Sequence, residues 1–297
     1  MRVRNIIVDG RAALAVDIPT GLVLPVRYTD SLPRTTDELI AAGPAGLAAL
    51  EAWLLARDPA VPVDFPDADA VPHAPAVLDP GHILCAGLNY ALHVAEGQDG
   101  PRDLPAEPVW FSKFTSCLAA HGDSIELLPE AREHDFEAEI VVVIGRTARR
   151  ISEAEAPDVI WGYTLGNDVS ARDLQRRSTQ WMIGKNGDGF APVGPAITTA
   201  DCVDASRLDI ESWRRRPGES QAVRYQRGET AELLFGFARL ISDISQMVTL
   251  QPGDLIFTGT PSGVIMGRPP GERHWLEEGD EVMIRSAQLG ELRNRFR

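Results

Sequence analysis

The run DFEAEIVVVIG, Asp135 to Gly145, sets two glutamates in an otherwise apolar segment. Side chains alternate along a strand, so Glu137 and Glu139 point to one face. The remaining residues are apolar on both faces, the pattern of a strand covered on both sides. Two like charges in a core are costly unless something neutralises them. A divalent cation does so most simply, and oxygen ligands suit Mg²⁺, Mn²⁺ or Ca²⁺; the alternative is an Arg or Lys pairing at a wet strand end. Asp168 closes a second apolar run, VIWGYTLGND, and opens into VSARDLQ. It is the expected third metal ligand, with Ser170 or a neighbour capping the helix that follows.

A second group of residues could move a proton. His93 and Glu96 lie three apart in LNYALHVAE, residues 88–96, and positions i and i+3 share a helix face. A carboxylate on one imidazole nitrogen fixes the tautomer and makes the other nitrogen more basic, so the pair could activate a water. Gly97, Gly100, Pro101 and Pro105 follow, which suggests a lid over residues 93–106. Lys113 ends an apolar run, and Lys185 sits in the glycine-rich IGKNGDGF. The run TGTPSG, Thr258 to Gly263, offers hydroxyls and backbone N–H groups to an anion. Arg214, Arg215 and Arg216 read as a solvated loop with a turn at Gly218.

These side chains need a scaffold, and the alternation of short apolar runs supplies one. Residues 3–8 and 12–17 read as a hairpin turning at Gly10 and Arg11. Residues 36–56 read as a helix interrupted at Gly43 and Pro44. Pro59, Pro62, Pro66, Pro72, Pro75 and Pro80 then exclude helix and central strand, leaving an extended connector. We therefore divide the chain into a small N-terminal α+β domain with its proline-rich connector, residues 1–75, and a catalytic domain, residues 76–297. In the latter, residues 82–87, 108–113, 136–145, 159–168, 254–260 and 281–286 read as strands, and 171–182 and 230–247 as helices. Many strands with few helices argue for an α+β fold.

Composition excludes several functions. The 297 residues carry 29 Lys and Arg against 43 Asp and Glu, a formal charge of −14, which repels a phosphate backbone. No nucleic-acid partner is expected. The three cysteines contain no C-x-x-C pair, so neither a disulfide framework nor a structural zinc site is expected. No nucleotide fingerprint occurs. The apolar stretch Ile140–Ile144 is far short of the roughly 20 residues that span a bilayer, and the N-terminal apolar run is too short for a signal peptide. The expectation is a cytoplasmic protein without a membrane partner.

Taken together, GLNYALHVAE, FSK, DFEAEIVVVIG, GYTLGNDVSARDLQ, PVGP and LQPGDLIFTGTPSG, in unbroken order from about residue 80 to the end, resemble the fumarylacetoacetate hydrolase superfamily. The resemblance implies a mixed β-roll catalytic domain, a homodimer, and Mg²⁺ or Mn²⁺ on Glu137, Glu139 and Asp168. It implies His93 with Glu96 as the water-activating base and Lys185 as a further catalytic residue. It also implies Lys113, Arg172, Gln175 and Thr260 as substrate-binding residues. The family's N-G-E-x-x-Q turn is replaced here by RRRPGESQ. The implied substrate is a small 2-oxo acid, bound to the cation through its carboxylate and 2-keto oxygens. Hydrolysis of a C–C bond in a 2,4-dioxo acid such as an acylpyruvate is the first expectation. Decarboxylation or isomerisation of a related 2-oxo acid, such as oxaloacetate or a 2-hydroxydienedioate, is the second, and a non-catalytic metal-binding homologue the third.

Overall fold

A computed structural model describes residues 1–58, 62–96 and 103–297. Pro59 of the connector and Gly97, Gly100 and Pro101 of the expected lid lie outside the described residues. Among these, a ten-stranded mixed sheet runs in the order Gly21–Val23, Arg11–Ile18, Arg2–Val8, Ala191–Thr199, Ile160–Asn167, Ala138–Ile144, Leu255–Phe257, Ile83–Gly87, Val109–Lys113, with Leu118–Ala119 paired beside Ala191–Thr199. A five-stranded sheet holds Val223–Glu229, Asp209–Arg215, Glu281–Ser286, Gly290–Phe296 and Ser124–Ile125. The fold is α+β.

At the centre lies Ala138–Ile144, buried at every position. Its β-branched run suits a pleated surface covered on both faces. It is antiparallel to both Ile160–Asn167 and Leu255–Phe257. The odd residues Val141 and Val143 enter one apolar cluster and the even residues Ile140, Val142 and Ile144 the other, so alternation builds two cores from one strand. Glycine is needed opposite Glu139: a Cβ on Gly166 would sit 2.5 Å from both Phe257 and Val141.

The sheet does not break at residue 75. Arg2–Val8 pairs with Ala191–Thr199, so the N-terminal hairpin extends the sheet of the main body. The connector runs extended beside it: Ile7 donates to the Pro72 carbonyl at 2.7 Å, and Ala76 to that of Val193 at 3.2 Å. Burial beside His121 and Arg4 pushes the His73 imidazole down to about 4, so this connector residue is neutral at physiological pH. The helix Thr36–Ala56 keeps its interruption, with Gly43 at φ 60°. Its 21 residues include an 18-residue window of mean hydropathy 1.6, long and apolar enough to cross a membrane by length and composition, a segment the reading of Ile140–Ile144 did not weigh. Leu39, Ile40 and Leu50 on it pack against Val3 and Leu14.

Ala191–Thr199, which is not among the expected strands, is a central strand despite Pro192 and Pro195. Proline removes a ladder donor, and the ladder to Ile160–Asn167 shifts register along this stretch. Several expectations need correction. The expected helix 171–182 is two single turns, Arg172–Gln175 and Met182–Lys185. Backbone crowding shapes that break, since a Cβ on Gly184 would collide with Gln175. Ser170 does not cap: the N-cap is Ala171 without a side-chain bond, and Ser170 Oγ donates to the Asp168 carbonyl at 2.9 Å. Arg214 is no solvated loop residue either. It lies in the strand Asp209–Arg215, 2 % exposed, bonded to Asp280 and to the Trp275 carbonyl. The turn at Gly218 is present, at φ 81°.

Candidate active site

The ends of the two central strands bring the acidic residues together. Glu137 immediately precedes Ala138–Ile144, and Asp168 immediately follows Ile160–Asn167. Asp168 N–H donates to the Glu137 carbonyl at 2.9 Å, and Glu137 N–H to Asn167 Oδ1 at 3.1 Å, so backbone bonds fix the two side by side. Glu139 is one pleat further in, and a ligating oxygen of each of the three lies within 4.8 Å of the others. All three are buried. They line a cavity of about 310 Å³, together with His93, Glu96, Arg172, Gln175, Lys185 and Thr260. That size suits a small ligand.

Charge is unevenly met around this cavity. Glu137 accepts from Arg172 at 2.6 Å and from Lys185 at 2.8 Å. Burial pushes its carboxyl up, but these two cations outweigh burial and hold it well below the usual range. Asp168 accepts from Lys185 at 2.6 Å, and its other oxygen lies 2.7 Å from Lys113 Nζ. Glu139 has the Gly259 N–H, at 2.7 Å, and no ammonium or guanidinium within ion-pair distance among the described residues. Burial, with Asp168 and Glu137 beside it, pushes its carboxyl well above the usual range. Asp135, Glu137, Glu139 and Asp168 thus face Arg172, Lys185 and Lys113, four buried anions against three buried cations. With every carboxyl ionised these residues would carry a surplus of one negative charge, at Glu139, whose raised carboxyl favours a proton in its place, and the donors are all oxygen. Both facts fit a hard divalent cation.

His93 and Glu96 are paired directly. His93 and Glu96 flank the end of the short helix Ala91–Ala95, and His93 Nδ1–H donates to Glu96 Oε1 at 2.7 Å. Because an ionised carboxylate only accepts, the proton is on Nδ1 and the Nε2 lone pair is free. Nε2 lies 3.9 Å from Glu137 Oε1, too far for a hydrogen bond. The TGTPSG loop does present N–H groups to anions, but those anions are the protein's own. Gly259 donates to Glu139 and Gly263 to Glu96 Oε2, each at 2.7 Å. A Cβ on Gly267 would collide with the Glu96 carboxylate, so glycine there keeps the dyad's outer member in place.

The remaining expected residues divide by position. Lys185, Gln175 and Thr260 are on the cavity wall. Arg172 is there too, but its guanidinium is spent on Asp135, Glu137 and Gln175. Lys113 is not on the wall. It sits behind Asp168, donating to the carbonyls of Val169, Lys185 and Phe190, and so orients the aspartate rather than meeting a ligand. Sequence reasoning left out Asp135, which anchors Arg172 at 3.0 Å and accepts from the amides of Ile265 and Met266. Its signal was present: Asp135, Glu137 and Glu139 share one period of two. Phe111 and Trp181, stacked edge-to-face on the cavity wall, carried no comparable signal.

A partly open cavity with three converging carboxylates and an adjacent His–Glu pair has the makings of an enzyme site, and the carboxylates could hold a divalent cation. Residues 82–297 match the family model for the fumarylacetoacetate (FAA) hydrolase C-terminal domain, and the chain belongs to that family. It is 38% identical over 271 residues, 90% of this chain and 81% of the relative, to a mitochondrial oxaloacetate tautomerase of Bos taurus. It is 40% identical over 225 residues, 74% of this chain and 72% of the relative, to a fumarylacetoacetate hydrolase domain-containing protein 2 homologue of Dictyostelium discoideum. Among solved structures, 5-carboxymethyl-2-hydroxymuconate delta-isomerase from Mycobacterium smegmatis is 30% identical with TM-score 0.70, covering 100% of this chain and 99% of that one. Fumarylacetoacetate hydrolase from Exiguobacterium antarcticum is 29% identical with TM-score 0.77, at the same coverage.

Proposed function

We propose that this enzyme interconverts the enol and keto forms of a small 2-oxo acid of the oxaloacetate type, with Mg²⁺ or Mn²⁺ held by Glu137, Glu139 and Asp168. The observation that carries this reading is the free His93 Nε2 at the rim of the carboxylate cluster, in a chain related over nine-tenths of its length to an oxaloacetate tautomerase. A divalent cation bound there supplies Lewis acidity toward the carboxylate and 2-oxygen of the acid. The protein's own residues do the rest. His93 Nε2 takes the proton from C3 of the keto form and passes it to the 2-oxygen to give the enol; in the other direction it takes the 2-hydroxyl proton of the enol and delivers it to C3. Glu96, fixed by the Gly263 amide, holds the resulting imidazolium. Lys185 bonds Glu137 and Asp168, so the carboxylates keep their positions as charge on the ligand changes. Phe111 and Trp181 give one side of the cavity an apolar wall.

Hydrolytic cleavage of an acylpyruvate is the second reading. The same dyad can deprotonate a water, and the fumarylacetoacetate hydrolase neighbour from Exiguobacterium favours it. The test is enol-oxaloacetate decay followed by ultraviolet absorbance with Mn²⁺, beside acylpyruvate cleavage followed by product analysis. The proposal expects acceleration of enol decay over Mn²⁺ alone and faster C3 deuterium exchange in D₂O. Cleavage of acylpyruvates with no acceleration of enol decay would replace it with the second reading.

A further inference from the structure

Outside the cavity, Asp69, His73 and His121 each bring a ligating atom within 4.8 Å of the other two. We propose that they form a second metal site, for an imidazole-preferring divalent cation such as Zn²⁺, which clasps the connector onto the body of the fold. None of the three lines the active-site cavity.

The hydrogen bonds around His73 define what it offers. Its Nε2 lies 3.0 Å from the Ala68 carbonyl, which can only accept, so the proton is on Nε2 and the lone pair on Nδ1. Nδ1 is buried and, among the described residues, has no hydrogen-bond partner, in a residue only 8 % exposed. Buried polar atoms are ordinarily satisfied, and a neutral imidazole that donates its other N–H to a backbone carbonyl is the arrangement metal-binding histidines adopt. The His121 ring lies 4.8 Å from that of His73, centroid to centroid. Its Nδ1 accepts from Arg293 N–H at 3.2 Å, so ligation through Nε2 moves the ring proton to Nδ1 and gives up that long bond. Neighbouring cations do not block the site: Arg4 is bonded to Asp17 and Arg293 to Glu291, while Asp69 brings the negative charge.

Ligand chemistry separates this site from the catalytic one. Two imidazoles and one carboxylate suit Zn²⁺, Co²⁺ or Ni²⁺, and three protein ligands leave a position for water. Three carboxylates suit Mg²⁺ or Mn²⁺. The location explains a clasp. Asp69 and His73 belong to the connector, with His73 bridged to Ile6, whereas His121 precedes the strand Ser124–Ile125 and touches Gly290–Phe296. One ion would join the N-terminal hairpin, the connector and the five-stranded sheet.

The test uses the full chain, stripped with EDTA and dialysed against Zn²⁺ with Mg²⁺ in excess. Wild type should retain one more Zn²⁺ than His121→Gln and should gain more thermal stability from Zn²⁺. Loss of an outer partner of a metal ligand typically costs 10–100-fold in affinity, so Asp69→Asn, which removes a ligand on an exposed residue, should weaken that ion by at least about tenfold. Enol decay should be unchanged in both variants. Equal Zn²⁺ retention and affinity in wild type and a folded variant would overturn the site, as would wild type that retains no ion beyond the catalytic one. If His121→Gln fails to fold, Asp69→Asn decides alone.

Discussion

Glu137 and Glu139 stand two residues apart, on one face, and both are buried, yet their surroundings are opposite. Glu137 lies against a wall built from Arg172 and Lys185, with Lys113 behind Asp168. Glu139 faces a wall that offers a single backbone N–H from Gly259. Burial raises both carboxyls; only the first meets enough positive charge to reverse the direction. The difference teaches that the cationic wall positions the site while the bare wall leaves it a charge to be filled. A buried salt bridge is weak evidence for stability, but here three cations for four carboxylates leave a defined remainder.

The largest expected effect tests whether the dyad is separate from both walls. His93→Ala should lower kcat for enol–keto interconversion by about 10²–10⁴-fold, the usual worth of a positioned proton carrier. Mn²⁺ affinity, read by equilibrium dialysis, should stay within about twofold, because Nε2 is 3.9 Å from Glu137 and bonded to neither wall. Loss of Mn²⁺ binding in parallel with activity would merge the dyad with the carboxylates.

The next effect is on stability, and it should differ in sign between the walls. Without metal, Glu137→Gln leaves Arg172 and Lys185 without the buried anion they share. Removing one partner of a buried pair typically costs about 3–5 kcal/mol. Glu139→Gln removes the unmet charge and should leave the EDTA-treated protein as stable as wild type or more so. Urea unfolding in EDTA reads both. Equal destabilisation by the two variants would show that the walls are equivalent.

This asymmetry was only half legible in the sequence. The pair Glu137 and Glu139 showed itself because two acids interrupt a run of β-branched residues, and Asp168 because it ends another. His93 and Glu96 showed themselves by helical spacing. Lys113 and Lys185 showed themselves as candidates by their settings and Arg172 came from a resemblance, but the distinction between Lys113 behind the site and Lys185 on its wall depends on which carbonyls the fold brings near each ammonium. No local pattern carries that, because Lys113 meets Val169 and Phe190 across 56 and 77 residues. The fold class followed from many short apolar runs. The central strand Ala191–Thr199 did not, since its two prolines carry the opposite local signal. Continuity of the sheet across residue 75 was hidden for a similar reason: pairing of Arg2–Val8 with Ala191–Thr199 spans nearly two hundred residues.

The smallest effect is a pH dependence that should appear on one wall and vanish with metal. The Glu139 carboxyl is raised in the folded, metal-free protein above its unfolded value of about 4.3. The native state therefore binds more protons than the unfolded state between those two values, and stability falls as pH rises through that window. Each unit of separation is worth about 1.4 kcal/mol. Glu137 has the opposite sign, since its folded carboxyl is depressed: its contribution is present above about 4.3 and is lost only as pH falls toward its lower folded value. Between about pH 5 and 8 the Glu137 contribution is thus constant; buried histidines such as His73, whose imidazoles are pushed down, add a slope of opposite sign that wild type and Glu139→Gln share, so the difference between the two belongs to Glu139. Unfolding free energy in EDTA should decline with pH for wild type relative to Glu139→Gln, and the two curves should converge as pH approaches 4.3. Saturating Mn²⁺ should remove the Glu139 share of the wild-type decline, because the bound ion takes the place of the proton. A difference between wild type and Glu139→Gln that stays constant across this range in EDTA would mean that Glu139 does not carry the unmet charge.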